Sequence, residues 1–266
     1  MNKRGVLLLA CALICVLALP AFAHFQMIYT PESALTKGKT LDVKIVFTHP
    51  FEAGHTMDMS NVEKFVMLHK GKITDLKGSL QPLMWTSLTN TGKGYEAKVP
   101  LKGMGDFVLG LVPGPYFEES EGVWMQQCTK VVVNVAGLPT DWNEELGLPA
   151  EIVPLDKPYG LWTGNVFRGI VKADGKPVPF AEIEVEYLNH MPDMKANCFA
   201  KKAEVEAPQD CFVTQTIMAD ASGTFAYAVP RAGWWGFAAL GVITEEYKGA
   251  ELGKDAVIWV QARDMK

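Results

Sequence analysis

No run of lysine or arginine occurs anywhere in these 266 residues, and charged side chains make up only 21% of them. Nucleic-acid binding needs a phosphate-facing basic stripe, so nucleic acid is excluded as a partner. The familiar catalytic signatures are missing as well: there is no G-x-S-x-G, no H-E-x-x-H and no glycine-rich phosphate loop. The adjacent carboxylates Glu118-Glu119 and Glu144-Glu145 read as solvated loop surface, and no nucleophile stands beside a base. The chain is therefore not read as an enzyme. Helical periodicity is scarce too, with only Met59–Glu63 hinting at a helical turn. Against these absences, a hydrophobic fraction of 48% is ample for a packed core.

A single long apolar run is present, Val6–Leu19, preceded by Lys3 and Arg4 and followed by Pro20 and Ala21-Phe22-Ala23. This is the pattern of a cleavable signal peptide over residues 1–23, and the run is short for a membrane span. The mature chain is then expected to be exported, periplasmic and not membrane-spanning. Loss of Lys3 and Arg4 leaves 23 basic against 30 acidic groups, a balance that favours cationic ligands. Cys11 and Cys15 depart with the leader, leaving Cys128, Cys198 and Cys211. An oxidising compartment makes a Cys198–Cys211 disulfide the natural pairing, with Cys128 a buried thiol.

After residue 23 the sequence alternates polar and apolar residues in short stretches cut by Gly, Pro, Asn and Asp, which predicts an all-β chain. Leu41, Val43, Ile45, Phe47 and His49 share one strand face. Residues 24–136 are expected to form an N-terminal Ig-like β-sandwich. Residues 137–160, rich in Pro, Gly and acid, read as a linker or inter-domain strap. Residues 161–266, with turn signals at Asp174-Gly175 and Asp220–Gly223, are expected to form a C-terminal sandwich similar to transthyretin or prealbumin modules.

Five histidines occur, at positions 24, 49, 55, 69 and 190. Cleavage after Ala23 makes His24 the first residue, so its α-amine and ring can chelate one ion together. One extra residue before it would instead create a square-planar set suited to Ni(II) or Cu(II). His49 ends the inward face of its strand, and Pro50 and Gly54 bend the following loop so that His55 can return beside it. His24, His49 and His55 are therefore the candidate metal ligands, with Glu52, Met57 and Met59 as additional donors. Imidazole nitrogen with thioether sulfur points to a late transition metal rather than Mg or Ca. His69 and His190 read as structural, and the aromatic group Tyr116, Phe117 and Trp124 as packing.

The series His24–Met27, Phe47–Glu52, Pro113–Glu118, Trp124–Lys130, Glu151–Tyr159 and Phe167–Glu186 resembles the periplasmic component family of ABC-type cobalt/nickel transport systems, soluble relatives of the NikM subunit. The resemblance implies a β-rich extracytoplasmic protein that binds Ni(II) or Co(II) and assists a membrane-embedded metal-uptake transporter. It places the site on His24 with His49 or His55. Here predicted cleavage leaves no residue ahead of the histidine, which favours a chelate of ring and amine. Two other readings remain: a copper carrier, because Cu(II) heads the divalent affinity series, and an adhesion or carbohydrate-binding module built around Trp162 and Trp234-Trp235.

Overall fold

The computed structural model describes residues 24–265, so the leader lies outside the described residues. Among these residues strands dominate, and the only helices are two 3-10 turns, Lys77–Ser79 and Asp210–Phe212. The first half contributes β1 (Phe25–Tyr29), β2 (Ala34–Leu35), β3 (Thr40–Thr48), β4 (Thr56–Met57), β5 (Val62–His69) and β6 (Lys72–Asp75). It continues with β7 (Gln81–Thr86), β8 (Thr91–Pro100), β9 (Gly105–Pro113), β10 (Tyr116–Glu118) and β11 (Val123–Val135). The second half adds β12 (Ala150–Pro154), β13 (Leu161–Trp162), β14 (Val166–Ala173), β15 (Lys176–Pro177), β16 (Glu182–Tyr187) and β17 (His190–Asp193). It closes with β18 (Cys198–Ala203), β19 (Thr214–Met218), β20 (Thr224–Ala228), β21 (Gly233–Tyr247) and β22 (Ala250–Arg263). The expected helical turn at Met59–Glu63 is absent: Met59 donates its N–H to Lys93, and β5 begins at Val62.

Three sheets are formed. The first runs β1-β3-β8-β7-β18-β17, with β4 against β3. The second has eleven strands, in the order β19-β16-β21-β22-β11-β9-β5-β6, with β2 and β10 on β11 and β13 on β22. The third joins β12, β14, β15 and β20. Alternate residues of the eleven-stranded sheet enter two different cores. Val131, Val133, Trp259 and Phe107 pack with Phe25 and Ile45 of the first sheet. Val132, Ile258, Phe237 and Val108 pack with Ile152 and Phe167 of the third. The large sheet is thus a middle layer covered on both faces, which is why Val131–Val133 and Val257–Val260 are unbroken apolar runs.

This layering joins the two expected β-sandwich regions through one shared sheet. The parallel pairing of β11 with β22, from Trp124↔Leu252 to Val131↔Trp259, sews the two halves into one sheet. Residues 137–160 form a pinned strap. The Asp106 carboxylate accepts the N–H groups of Thr140, Asp141 and Trp142 at 2.5, 2.9 and 3.1 Å. Glu151, on β12, pairs with the buried Lys130 and accepts the N–H groups of Leu146 and Leu148. Burial holds the Lys130 ammonium below its usual range, with Glu151 working in the opposite direction.

The expected disulfide is not formed: Cys128, Cys198 and Cys211 are all free thiols. Cys198 opens β18 in the first sheet, whereas Cys211 precedes β19, an edge strand of the middle sheet. The intervening chain crosses from one layer to the next and carries the two sulfurs apart. Cys128 is buried, and burial pushes its thiol up to about 12.

Candidate metal-binding site

β1 and β3 run antiparallel, with Phe25 opposite Thr48. One step further along this ladder brings His24 opposite His49, and their rings meet edge to face with centroids 4.5 Å apart. On the other flank of β3, β4 pairs Thr48 with Thr56. One step past that pair, His55 stands opposite His49, where the Thr48 hydroxyl donates to the His55 carbonyl at 3.2 Å. The local sequence explains the return. Pro50 ends the strand, Ala53 adopts a positive φ of 46°, and the Gly54 N–H reaches the His49 carbonyl at 3.2 Å. A side chain at 54 would lie 3.3 Å from the His49 Cβ, so glycine permits the close fold-back. Three histidines from three adjacent strand ends thus form one row, with His49 at its centre.

A fourth group, read from sequence as solvated surface, completes the cluster. Glu118 ends β10, and its Oε2 lies 3.3 Å from His24 Nε2. The Ser120 N–H and hydroxyl both donate to Glu118 Oε1, at 3.1 and 2.6 Å, which leaves Oε2 turned toward the histidine. Burial pushes the Glu118 carboxyl up, but the Ser120 hydrogen bonds, with His24 and His49 nearby, outweigh it and hold the group below the usual carboxylate range. Only the Glu118-x-Ser120-x-Gly122 turn signal could have marked this residue, because its partner lies 94 positions away.

His49 is the most perturbed member. Burial lowers its ring to about 3, reinforced by His24 and His55 and opposed by Glu118. The imidazole is therefore neutral at any physiological pH. His55 is exposed, with its Nε2 3.5 Å from the Asn90 side-chain nitrogen. As they stand, the side chains do not converge: no group of three or more His, Cys, Asp or Glu residues among the described residues is arranged to hold a metal ion. The chemistry of the set nevertheless fits one, since it combines neutral nitrogen donors with one ionised oxygen donor.

The additional donors expected from sequence fall elsewhere. Glu52 is exposed, and burial, then Asp210, raise its carboxyl, which sets it beside the Asp210 turn. Met57 and Met59 are core residues, and the Met59 sulfur accepts from Gln26 Nε2 at 3.6 Å. Trp234 and Trp235 are likewise buried, on opposite faces of the middle sheet, and offer no sugar platform; Trp162 is exposed. His69 stacks on Phe107 and bonds the Asp106 carbonyl, and His190 bonds the Ala200 carbonyl, so both are held structurally.

Residues 21–243 match a family model described as "Domain of unknown function (DUF4198)". No curated protein matches the sequence. Among solved structures, the D0-D1 domain of Intimin is 9% identical at a TM-score of 0.20, with 90% of this chain and 100% of that one covered. The adhesin InvE of Yersinia pseudotuberculosis is 11% identical at a TM-score of 0.25, with 91% and 63% covered. TM-scores this low give these likenesses no functional weight, and the all-β architecture rests on the chain's own sheets.

Proposed function

The chain belongs to the DUF4198 family, and from that premise we propose that it is an extracytoplasmic carrier of a late first-row divalent ion, Ni(II) or Co(II). It would hand its cargo to a membrane-embedded uptake transporter. The observation that carries this reading is the row His24–His49–His55 with Glu118 against His24. Two imidazoles in ring contact, one of them kept neutral by burial, and an ionised carboxylate make a borderline nitrogen and oxygen donor set suited to such ions. When the leader is removed after Ala23, the His24 amine adds a further nitrogen.

With the thioethers of Met57 and Met59 drawn into the core, soft donors for Cu(I) are lacking at this site. Cu(II) remains the strongest divalent competitor on general affinity grounds. No helix among the described residues is long and apolar enough to cross a membrane, so the transport step is assigned to a partner.

The test is calorimetric titration of Ni(II), Co(II) and Cu(II) into protein whose first residue has been verified as His24 by mass spectrometry. Binding is expected to fall at least about tenfold in His24→Ala and His49→Ala. Absence of binding by all three ions to the unaltered protein would refute the proposal.

A further inference from the structure

β1 is the edge strand of the first sheet, and its inner side pairs with β3. Among the described residues no strand pairs with its outer side, and the middle sheet supplies side chains to the backbone groups there. Gln127, on β11, takes the Gln26 N–H on its Oε1 at 2.7 Å and donates from Nε2 to the His24 carbonyl at 2.7 Å. The Gln26 carbonyl accepts the Trp259 indole N–H at 3.0 Å and the Thr129 hydroxyl at 3.3 Å. One glutamine amide thus imitates a neighbouring strand for the residues on either side of Phe25.

An amide can be placed either way round, but here the next residue decides. Asp255 is opposite Gln127 in the parallel pairing of β11 with β22. Its Oδ2 accepts from Gln127 Nε2 at 3.2 Å, and its Oδ1 accepts the Gly241 N–H at 2.8 Å. Burial raises the Asp255 carboxyl to about 6, and above that pH the ionised group only accepts, so it fixes which end of the amide is the donor. Both side chains are buried, where a mis-set amide would leave several polar groups unpaired.

We infer that Gln127, oriented by Asp255, is the positioning residue that holds His24 in register against His49 and Glu118. The inference builds on the proposed metal site, but the clamp itself can be tested without metal. Gln127→Met keeps the length of the side chain and removes both halves of the amide, and Asp255→Asn removes the orienting charge.

In apo protein, hydrogen exchange at the Gln26 amide is expected to quicken about tenfold or more in Gln127→Met, and less in Asp255→Asn. Nickel affinity is expected to fall about 10- to 100-fold in Gln127→Met, in the range of lost supporting contacts around metal ligands. In a His24→Ala background the same change should cost less than about twofold, because the ligand it positions is gone. A merely structural role would weaken binding equally in both backgrounds and would overturn the inference, as would Gln26 exchange unchanged in both variants. If the unaltered protein binds no metal, the carrier proposal fails, and the Gln26 exchange still decides the clamp.

Discussion

Glu118 and Glu186 show how one residue type takes opposite settings in one molecule. Ser120 and two imidazoles keep the Glu118 carboxyl ionised, so Glu118→Gln is expected to lower nickel affinity about tenfold while leaving the thermal midpoint nearly unchanged. Glu186 is buried under the loop after His49, where it accepts the Phe51 N–H at 3.3 Å and pairs with the Thr214 hydroxyl. Burial raises its carboxyl to about 8, and Glu184, two residues earlier, is raised to about 7, again chiefly by burial. Between the ordinary carboxylate value and these raised ones, the folded protein holds protons that the unfolded chain has released. Stability therefore falls as pH rises through 7 and 8. Urea titrations are expected to give at least about 1 kcal/mol less stability at pH 8.5 than at pH 6.5, and Glu186→Gln should remove much of the difference.

Among the elements, the strap at 137–149 is the least strand-like and among the most tightly bonded. Asp106→Ala would orphan the N–H groups of Thr140, Asp141 and Trp142 together with the Asn134 amide, which donates to the same carboxylate at 2.6 Å. A loss of about 3 kcal/mol or more in urea unfolding is expected. Nothing in the proline- and acid-rich text of this segment announces it, because its partners, Asp106 and Lys130, precede it on strands. The β1–β3 ladder is the opposite case. Alternation along Leu41–Phe47 and the breakers Pro50 and Gly54 were enough to set His24, His49 and His55 at neighbouring strand ends. The sequence could not place Glu118 and Gln127 beside them, since both arrive through pairings around β11, which connect residues about a hundred positions apart. Met57 and Met59 misled for a related reason: the loop-like stretch after Gly54 holds the short strand β4, which carries Met57, and Met59 just beyond it is tied to Lys93, so both side chains turn into the core.

At the scale of the molecule, the middle layer governs. Both of its faces are covered, and its central strand β22 comes last in the chain. The sharing of one sheet between the two cores was not legible, because doubly covered strands read as apolar runs, which a single chain pattern does not assign to one core or the other. One cooperative unfolding transition is expected, with fluorescence and circular dichroism coincident, and a fragment ending at residue 160 should show no cooperative transition. The layers also meet closely at Gly236, where a Cβ would lie 2.8 Å from the Trp259 ring and 2.9 Å from Phe25. Gly236→Ala is expected to cost roughly 1–3 kcal/mol in the same titrations.

The place of β22 in the sequence decides how β1 is finished. Asp255 and Trp259 both lie on β22, so the residue that orients the Gln127 clamp and the indole partner of Gln26 come to the first strand from the far side of the sequence. The indole that caps the Gln26 carbonyl lies 233 positions away, so β1 is secured by long-range closure and not by its sequence neighbours.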